Sequence, residues 1–275
     1  MPEVRSYAMY PEIKMVRHCS LRSCLVGTVA ILSAFAMAAH ANDDDEAYHY
    51  NYIFGAPSDP GPAWTLAVGG RLYDNWAVVL DTELPDDTHP LWPAANTAHE
   101  GGDTWRCKAC HGWDYRGADG KYATGSYATG ITGVAGMAGA EIDAIMALLG
   151  EPAHGYTDDL LPVEAKRRLA TFISQGLDDM PAYVDLDGTV TGEAETGRDI
   201  FQNVCASCHG FEGKALDWGE PGEPAYVGTE ANDNPWEVFH KIRNGHPGTE
   251  MIALRGFGPE VAAAVLAYAQ TLPID

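Results

Sequence analysis

The sequence predicts a mainly α-helical protein made of two tandem modules, each built from short helices and long loops. The pentapeptide Cys-x-x-Cys-His occurs twice, at residues 107–111 (CKACH) and 205–209 (CASCH). Segments with the helical spacing of apolar residues recur around each pentapeptide in a similar order. Glycine and proline residues bound these segments at the places where helices end and begin. Together these three observations indicate a repeated helical unit.

The pentapeptide is the attachment signature of a c-type haem. Its two thiols lie within one helical turn, where both can form thioethers to a porphyrin, and the adjacent histidine then points at the iron. The alternatives are a disulfide, a zinc site and a thioredoxin-like motif. Zinc ribbons separate their cysteine pairs by about 15–20 residues, whereas 94 residues lie between Cys110 and Cys205. The sequence therefore predicts two covalent haems, held by Cys107, Cys110, His111, Cys205, Cys208 and His209.

Residues 1–41 have the features of a secretory signal peptide. Two arginines precede an apolar stretch over residues 25–39, and residues 39–41 (AHA) have the small-x-small pattern of a cleavage site. The stretch is shorter than the roughly 20 residues of a membrane-spanning helix, and an uncleaved anchor is the alternative. Cleavage would also remove the two cysteines outside the motifs. We therefore expect an exported, periplasmic protein that does not span the membrane.

The chain is strongly acidic, with a formal charge of −22. Removal of residues 1–41 takes away four basic and two acidic side chains and leaves a formal charge of −24. A charge of this size excludes nucleic acid as a partner and favours docking to a basic face of another protein. The alternative is an adaptation of solubility to a saline or acidic habitat.

The second module is the simpler of the two. A short helix is expected at residues 197–204, directly before the motif, and a longer one at residues 235–244, which ends at Gly245. A loop then carries Met251, and a last, alanine-rich helix is expected over residues 259–271.

This order resembles the class I cytochrome c family over nearly all of residues 195–275. In that family a methionine from the last loop is the sixth iron ligand. Residues 242–251 (IRNGHPGTEM) are similar to that loop, although Ile252 stands where a proline is usual. The resemblance implies that Met251 is the sixth ligand of the second haem, with His246 as the alternative.

The first module matches the ends of the second and differs in the middle. Residues 69–76 (GGRLYDNW) parallel residues 197–204, yet thirty additional residues separate them from the motif. This insertion, rich in proline, is expected to form an ordered loop. A helix at residues 162–176 corresponds to the last helix of the second module. The predicted organisation is a signal peptide at 1–41, a first cytochrome c domain at 42–185 with its insertion at 76–105, a linker at 186–194 and a second domain at 195–275.

The ligand loop of the first module contains no methionine. His154 lies 43 residues beyond His111, and Met251 lies 42 residues beyond His209. By this correspondence His154 is expected to be the sixth ligand of the first haem. The alternatives are His89 and His99 from the insertion and Met180 after the last helix of the module.

The whole pattern, including residues 70–76 (GRLYDNW), 104–107 (TWRC) and 112–115 (GWDY), is similar to a group of exported bacterial dihaem cytochromes that act as electron carriers. The resemblance implies single-electron transfer between redox partner proteins. Two six-coordinate irons leave no open position, which favours transfer over catalysis. Because a thioether stabilises ferrous iron better than an imidazole does, the second haem is expected to have the higher potential.

Two other functions are alternatives. A dihaem oxidoreductase of the thiosulfate-oxidising or peroxidase-like kind would need a substrate pocket at the first haem, for which Arg106, Arg116, Trp105 and Trp113 are the candidate lining residues. The alternative role of these residues is to pack against the haem edge and to bind its propionates. The other alternative is a cytochrome subunit of a larger respiratory complex.

Overall fold

The structure, a computed structural model, describes residues 58–274. Within this range the chain forms nine α-helices joined by loops, short 3₁₀ turns and one π-helical turn, without a β-strand. The mainly helical prediction is confirmed. The helices are α1 (Pro62–Val79), α2 (Cys107–His111), α3 (Ile142–Gly150), α4 (Val163–Gln175), α5 (Ala194–Ile200), α6 (Ala206–His209), α7 (Val227–Asp233), α8 (Pro235–Asn244) and α9 (Pro259–Ala269).

Each copy of the sequence repeat packs its first helix against its last. Helix α1 crosses α4, and helix α5 crosses α9. Both crossings pass through a glycine, and Gly69 and Gly197 occupy the same position in the repeat. A Cβ atom at either position would meet the backbone of the facing helix. Only glycine therefore permits so close an approach.

The first helix of each copy also leaves α-helical geometry at the same point of the repeat. In α1 the break is at Asn75, with φ −153° and ψ 92°. In the second copy a π-helical turn, Phe201–Cys205, connects α5 to α6. Such interruptions redirect the chain. In both copies the chain changes course between its first helix and the motif.

The core of the first copy lies between α1 and α4, where Leu72, Trp76, Leu169 and Phe172 are fully buried. The second copy has a corresponding core of aromatic and aliphatic side chains on α8 and α9. Burial of one such side chain stabilises the fold by roughly 1.5–3 kcal/mol. The buried apolar side chains of both copies belong to one continuous cluster.

The two copies share a buried polar interface in which α1 packs against α8. The Nε2 atom of His240 lies 2.9 Å from the carbonyl oxygen of Gly70, and the hydroxyl of Tyr115 lies 2.7 Å from His240 Nδ1. Burial lowers the pKa of His240 to about 4. A neutral imidazole, with one donor and one acceptor, satisfies both bonds.

A buried ion cluster extends this interface. Asp178, which follows the last helix of the first copy, accepts hydrogen bonds from Arg243 and Arg255 of the second, each at 3.1 Å. Buried charges are tolerated in proteins when they are paired in this way.

The insertion is held by its own hydrogen bonds. The backbone N–H of His89 donates to Thr104 Oγ1 at 2.8 Å, and Trp105 Nε1 donates to the carbonyl of Asp87 at 2.7 Å. Helix α1 extends to Val79, inside the predicted insertion, and the insertion ends in a 3₁₀ turn, Gly101–Trp105.

Across residues 58–274 no helix is both long enough and apolar enough to cross a membrane. The predicted signal peptide, residues 1–41, lies outside the described residues.

Candidate haem sites

The two motifs have the same backbone geometry. The glycine after each motif histidine takes a positive φ, with φ/ψ of 79°/158° at Gly112 and 75°/160° at Gly210. The carbonyl of His111 accepts the N–H of Gly117, and the carbonyl of His209 accepts the N–H of Ala215, both at 2.9 Å. These two bonds span the same number of residues. The second motif thus repeats the local structure of the first as well as its sequence.

The motif cysteines are free thiols and form no disulfide. Burial raises the pKa of Cys107 to about 12 and that of Cys110 and Cys205 to about 11. These three thiols are therefore protonated at neutral pH.

A cavity of about 220 Å³ lies beside the first motif and is lined by Cys107, Cys110, His111 and His154 together with mainly apolar side chains. The ring centres of His111 and His154 are 6.4 Å apart, and the ring planes differ by 28°. Two imidazoles that bind one metal ion from opposite sides, with metal–nitrogen bonds of about 2 Å, have ring centres about 6 Å apart. The ring centres of His111 and His154 are therefore at about the separation that a shared iron would require.

The orientation of His111 suits an iron ligand. Its Nδ1 atom lies 2.8 Å from the carbonyl oxygen of Thr132, which places the proton on Nδ1 and leaves Nε2 unprotonated. Burial lowers the pKa of His111, so the ring is neutral at pH 7. Among the described residues the buried Nδ1 atom of His154 has no hydrogen-bond partner.

The other candidates for the first sixth ligand are placed differently. His89 lines the cavity, but its Nε2 atom lies 3.0 Å from the carbonyl oxygen of His154 and its Nδ1 atom accepts a backbone N–H. Both ring nitrogens are thus engaged, and His89 braces the loop of His154. His99 and Met180 do not line the cavity. Met180 lies in the core, and His99 stacks on Tyr127 at 3.8 Å between ring centres.

The prediction of a pocket lined by two arginines and two tryptophans is wrong for three of these four residues. Only Arg106 lines the cavity, and its guanidinium is 2.7 Å from the carboxylate of Asp74. Arg116 is exposed, and Trp105 packs behind the cavity against His89. Trp113 lies in the interface with the second copy, because the glycine turn after the motif directs the chain there. Proximity to the motif in the sequence does not predict where these side chains lie in the folded protein.

A second cavity, of about 260 Å³, lies beside the second motif and is lined mainly by apolar side chains. Cys205, His209, His246 and Met251 contribute to the lining. Cys208 is exposed. Burial lowers the pKa of His209, and in the described part of the chain its buried Nδ1 atom has no partner. His209 together with either the Met251 thioether or the His246 imidazole is a ligand pair that suits haem iron, and both candidates line this cavity.

The loop that carries Met251 is held by a residue of the first copy. Arg71 on α1 donates from Nε to the carbonyl of Asn244 and from Nη2 to the carbonyl of Met251, both at 2.8 Å. Gly245, with φ 82°, brings the loop backbone so near that a Cβ atom would meet the Arg71 guanidinium. Sequence reasoning missed this role because Arg71 and Met251 are 180 positions apart.

The family comparison covers the part of the chain that contains the second motif. Residues 192–268 match the model of one family, described as "Cytochrome C oxidase, cbb3-type, subunit III". No curated protein and no solved structure matches the chain. The matched residues include the second motif and Met251. Residues 192–268 thus contain a cytochrome c domain, and the match supports a c-type cytochrome that binds haem c for electron transfer.

Proposed function

We propose that the protein is an exported, periplasmic dihaem cytochrome c that transfers single electrons between redox partner proteins. The observation that carries the proposal is the repeated geometry of the two motifs, each beside an apolar cavity. Gly112 and Gly210 make the same turn, and the following backbone hydrogen bonds are equivalent. Since residues 192–268 match a cytochrome c domain, the equivalent geometry of the first motif supports a haem there too.

We further propose that His111 and His154 would hold the iron of the first haem, and His209 and Met251 that of the second. The separation of 6.4 Å between the first two rings supports the first pair. The second pair is supported by the shared cavity and by the two hydrogen bonds that hold the ends of the Met251 loop.

When bound, the haems supply iron centres that each accept and release one electron. The protein sets the difference in reduction potential between the two haems, because a thioether ligand favours the ferrous state more than an imidazole does. As an iron ligand, Met251 would therefore give the second site the higher potential, and the apolar lining of both cavities would exclude water from the iron. Electrons that enter at the first site would then move downhill to the second.

Haem counting and ligand spectra test this proposal. The purified protein should bind two haems, and replacement of both cysteines by serine in either motif should leave one. In the oxidised protein the weak far-red sulfur-to-iron band should account for one haem. His154→Met should double the band, and Met251→His should abolish it. A band for both haems, or for neither, in the wild-type protein would refute the ligand assignment.

Substrate chemistry at the first haem has less support. Two polar side chains of the first cavity are already engaged, Arg106 with Asp74 and His89 with the loop of His154. Because His154 would also occupy the sixth position, carbon monoxide should bind poorly to the reduced first haem at neutral pH. Rapid binding would favour an enzyme instead.

A subunit of a larger respiratory complex is a second candidate. The description of the matching family, which names an oxidase subunit, favours it. Recovery of the holoprotein in a stable complex from its native membranes would support this role, whereas recovery as a free protein would support the carrier.

A further inference from the structure

The residue after the glycine turn has opposite environments in the two copies. In the first copy this residue is Trp113, which is 2% exposed, and in the second it is Phe211, which is 72% exposed. Trp113 packs against His240 on α8 at 5.1 Å between ring centres. The second copy therefore covers this position of the first copy, whereas the equivalent position of the second copy, Phe211, stays exposed.

Phe211 belongs to an exposed apolar group on one loop, which we define as residues 211–223. Leu216 in the same loop is 44% exposed. Trp218 lines the second cavity, and its ring lies 5.8 Å from that of His209. Large apolar side chains are seldom left exposed together except where a partner binds. The 211–223 loop thus places such a surface against the second haem site.

The charge of the 211–223 loop indicates the chemistry of that partner. The loop contains four carboxylates and a single lysine: Glu212, Asp217, Glu220, Glu223 and Lys214. Asp217 is used within the loop, where it accepts two backbone N–H groups. Glu212, Glu220 and Glu223 are exposed. An apolar centre with a charged rim is the usual composition of a transient protein interface.

We propose that the 211–223 loop is the docking surface for a basic redox protein, which exchanges electrons at the second haem. The inference rests on the proposed function and adds the surface at which such a partner binds. A second copy of this chain would bring like charges together, which disfavours self-association here. Complementary charges instead raise the rate of encounter, and this effect weakens as salt rises.

Electron transfer to a basic blue-copper protein tests the proposal, because the copper band is distinct from the haem bands. The reduced holoprotein is mixed with the oxidised copper protein, and the second-order rate constant is measured against ionic strength. The double variant Glu220→Gln/Glu223→Gln should lower the rate at low salt by about threefold or more and flatten its salt dependence. The matched control, Asp86→Asn/Asp87→Asn, removes the same charge from the exposed insertion of the first copy and should change the rate less.

The apolar centre is tested in the same assay at high salt. Phe211→Ser should lower the rate there, whereas Leu186→Ser, at a position 64% exposed outside the loop, should not. Equal effects of the two charge variants would show that only net charge matters and would overturn the proposal, as would wild-type rates for Phe211→Ser. A holoprotein that carries two haems but transfers no electrons would overturn the proposed function itself.

Discussion

Replacement of Arg71 should weaken the bond between Met251 and the iron of the second haem, although Arg71 is not itself a ligand. Its guanidinium, on the first copy, binds the carbonyl oxygens of Asn244 and Met251, which flank the ligand loop. Arg71→Leu retains an aliphatic side chain and removes both donors. The Met251 side chain itself is unchanged, and the substitution acts on the backbone that positions it.

The expected size follows from the lost hydrogen bonds. A hydrogen bond to a charged group contributes about 1.5–3 kcal/mol, and a buried acceptor left without a partner adds to the cost. If the bond to the Met251 carbonyl is lost from the ligated state, the population with the methionine detached rises about 10- to 100-fold. A competing ligand then binds with an apparent affinity raised by the same factor.

Titration of the oxidised holoprotein with imidazole measures this effect, with loss of the far-red sulfur band as the signal. Arg71→Leu should bind imidazole about tenfold more tightly or better, and Arg71→Lys should lie between the variant and wild type. Tyr115→Phe is the matched control, because it removes a buried bond between the copies without touching the loop. Wild-type affinity in Arg71→Leu, or an equal gain in Tyr115→Phe, would refute the reasoning.

His240→Gln should reduce the loss of stability in acid. Burial lowers the pKa of His240 from 6.5 to about 4, so this histidine is protonated in the unfolded chain at a higher pH than in the folded protein. Roughly 3 kcal/mol of stability that is present above pH 6.5 is therefore lost as the pH falls towards 4. Urea unfolding at the two ends of this range measures it, and an unchanged pH dependence would contradict the assignment. Gly197→Ala should destabilise the fold by about 1–3 kcal/mol, because its Cβ atom would meet the backbone of the facing helix. Gly256→Ala is the control, since a Cβ atom there would lie in open space. Thermal unfolding should give a lower midpoint for Gly197→Ala, and equal midpoints would argue against the tight crossing. His89→Leu should free the loop of His154 and raise the cyanide affinity of the first haem about tenfold, while the sulfur band of the second haem stays unchanged; wild-type cyanide affinity would show that His89 does not brace the loop.

Local sequence patterns predicted the longer helices well. The spacing of apolar residues placed a helix at residues 235–244, which matches α8, and one at 162–176, which matches α4 within a residue at each end. Helix α7 was missed. It has seven residues and follows a segment rich in glycine and proline. So short a helix is stabilised by its packing on α8 and α9 rather than by its own sequence.

The same distinction between local patterns and long-range contacts applies to the candidate haem sites. Spacing within the two pentapeptides predicted the attachment residues because that chemistry is local to one turn. The bracing of the sixth-ligand loops by Arg71 and His89 was not predicted, because each contact joins segments that are 180 and 65 positions apart. Neither Arg71 nor His89 carries a local pattern that distinguishes a bracing side chain from a surface one.

By itself the sequence determined the repeat, the two Cys-x-x-Cys-His motifs, the mainly helical fold and the acidic charge, because each of these is written in neighbouring residues or in composition. The tertiary structure alone decided how the copies differ. Trp113 and Phe211 follow identical turns, and one is buried while the other is exposed. That difference depends on which surface the second copy covers, a property of the packing of α1 against α8 that neither motif encodes.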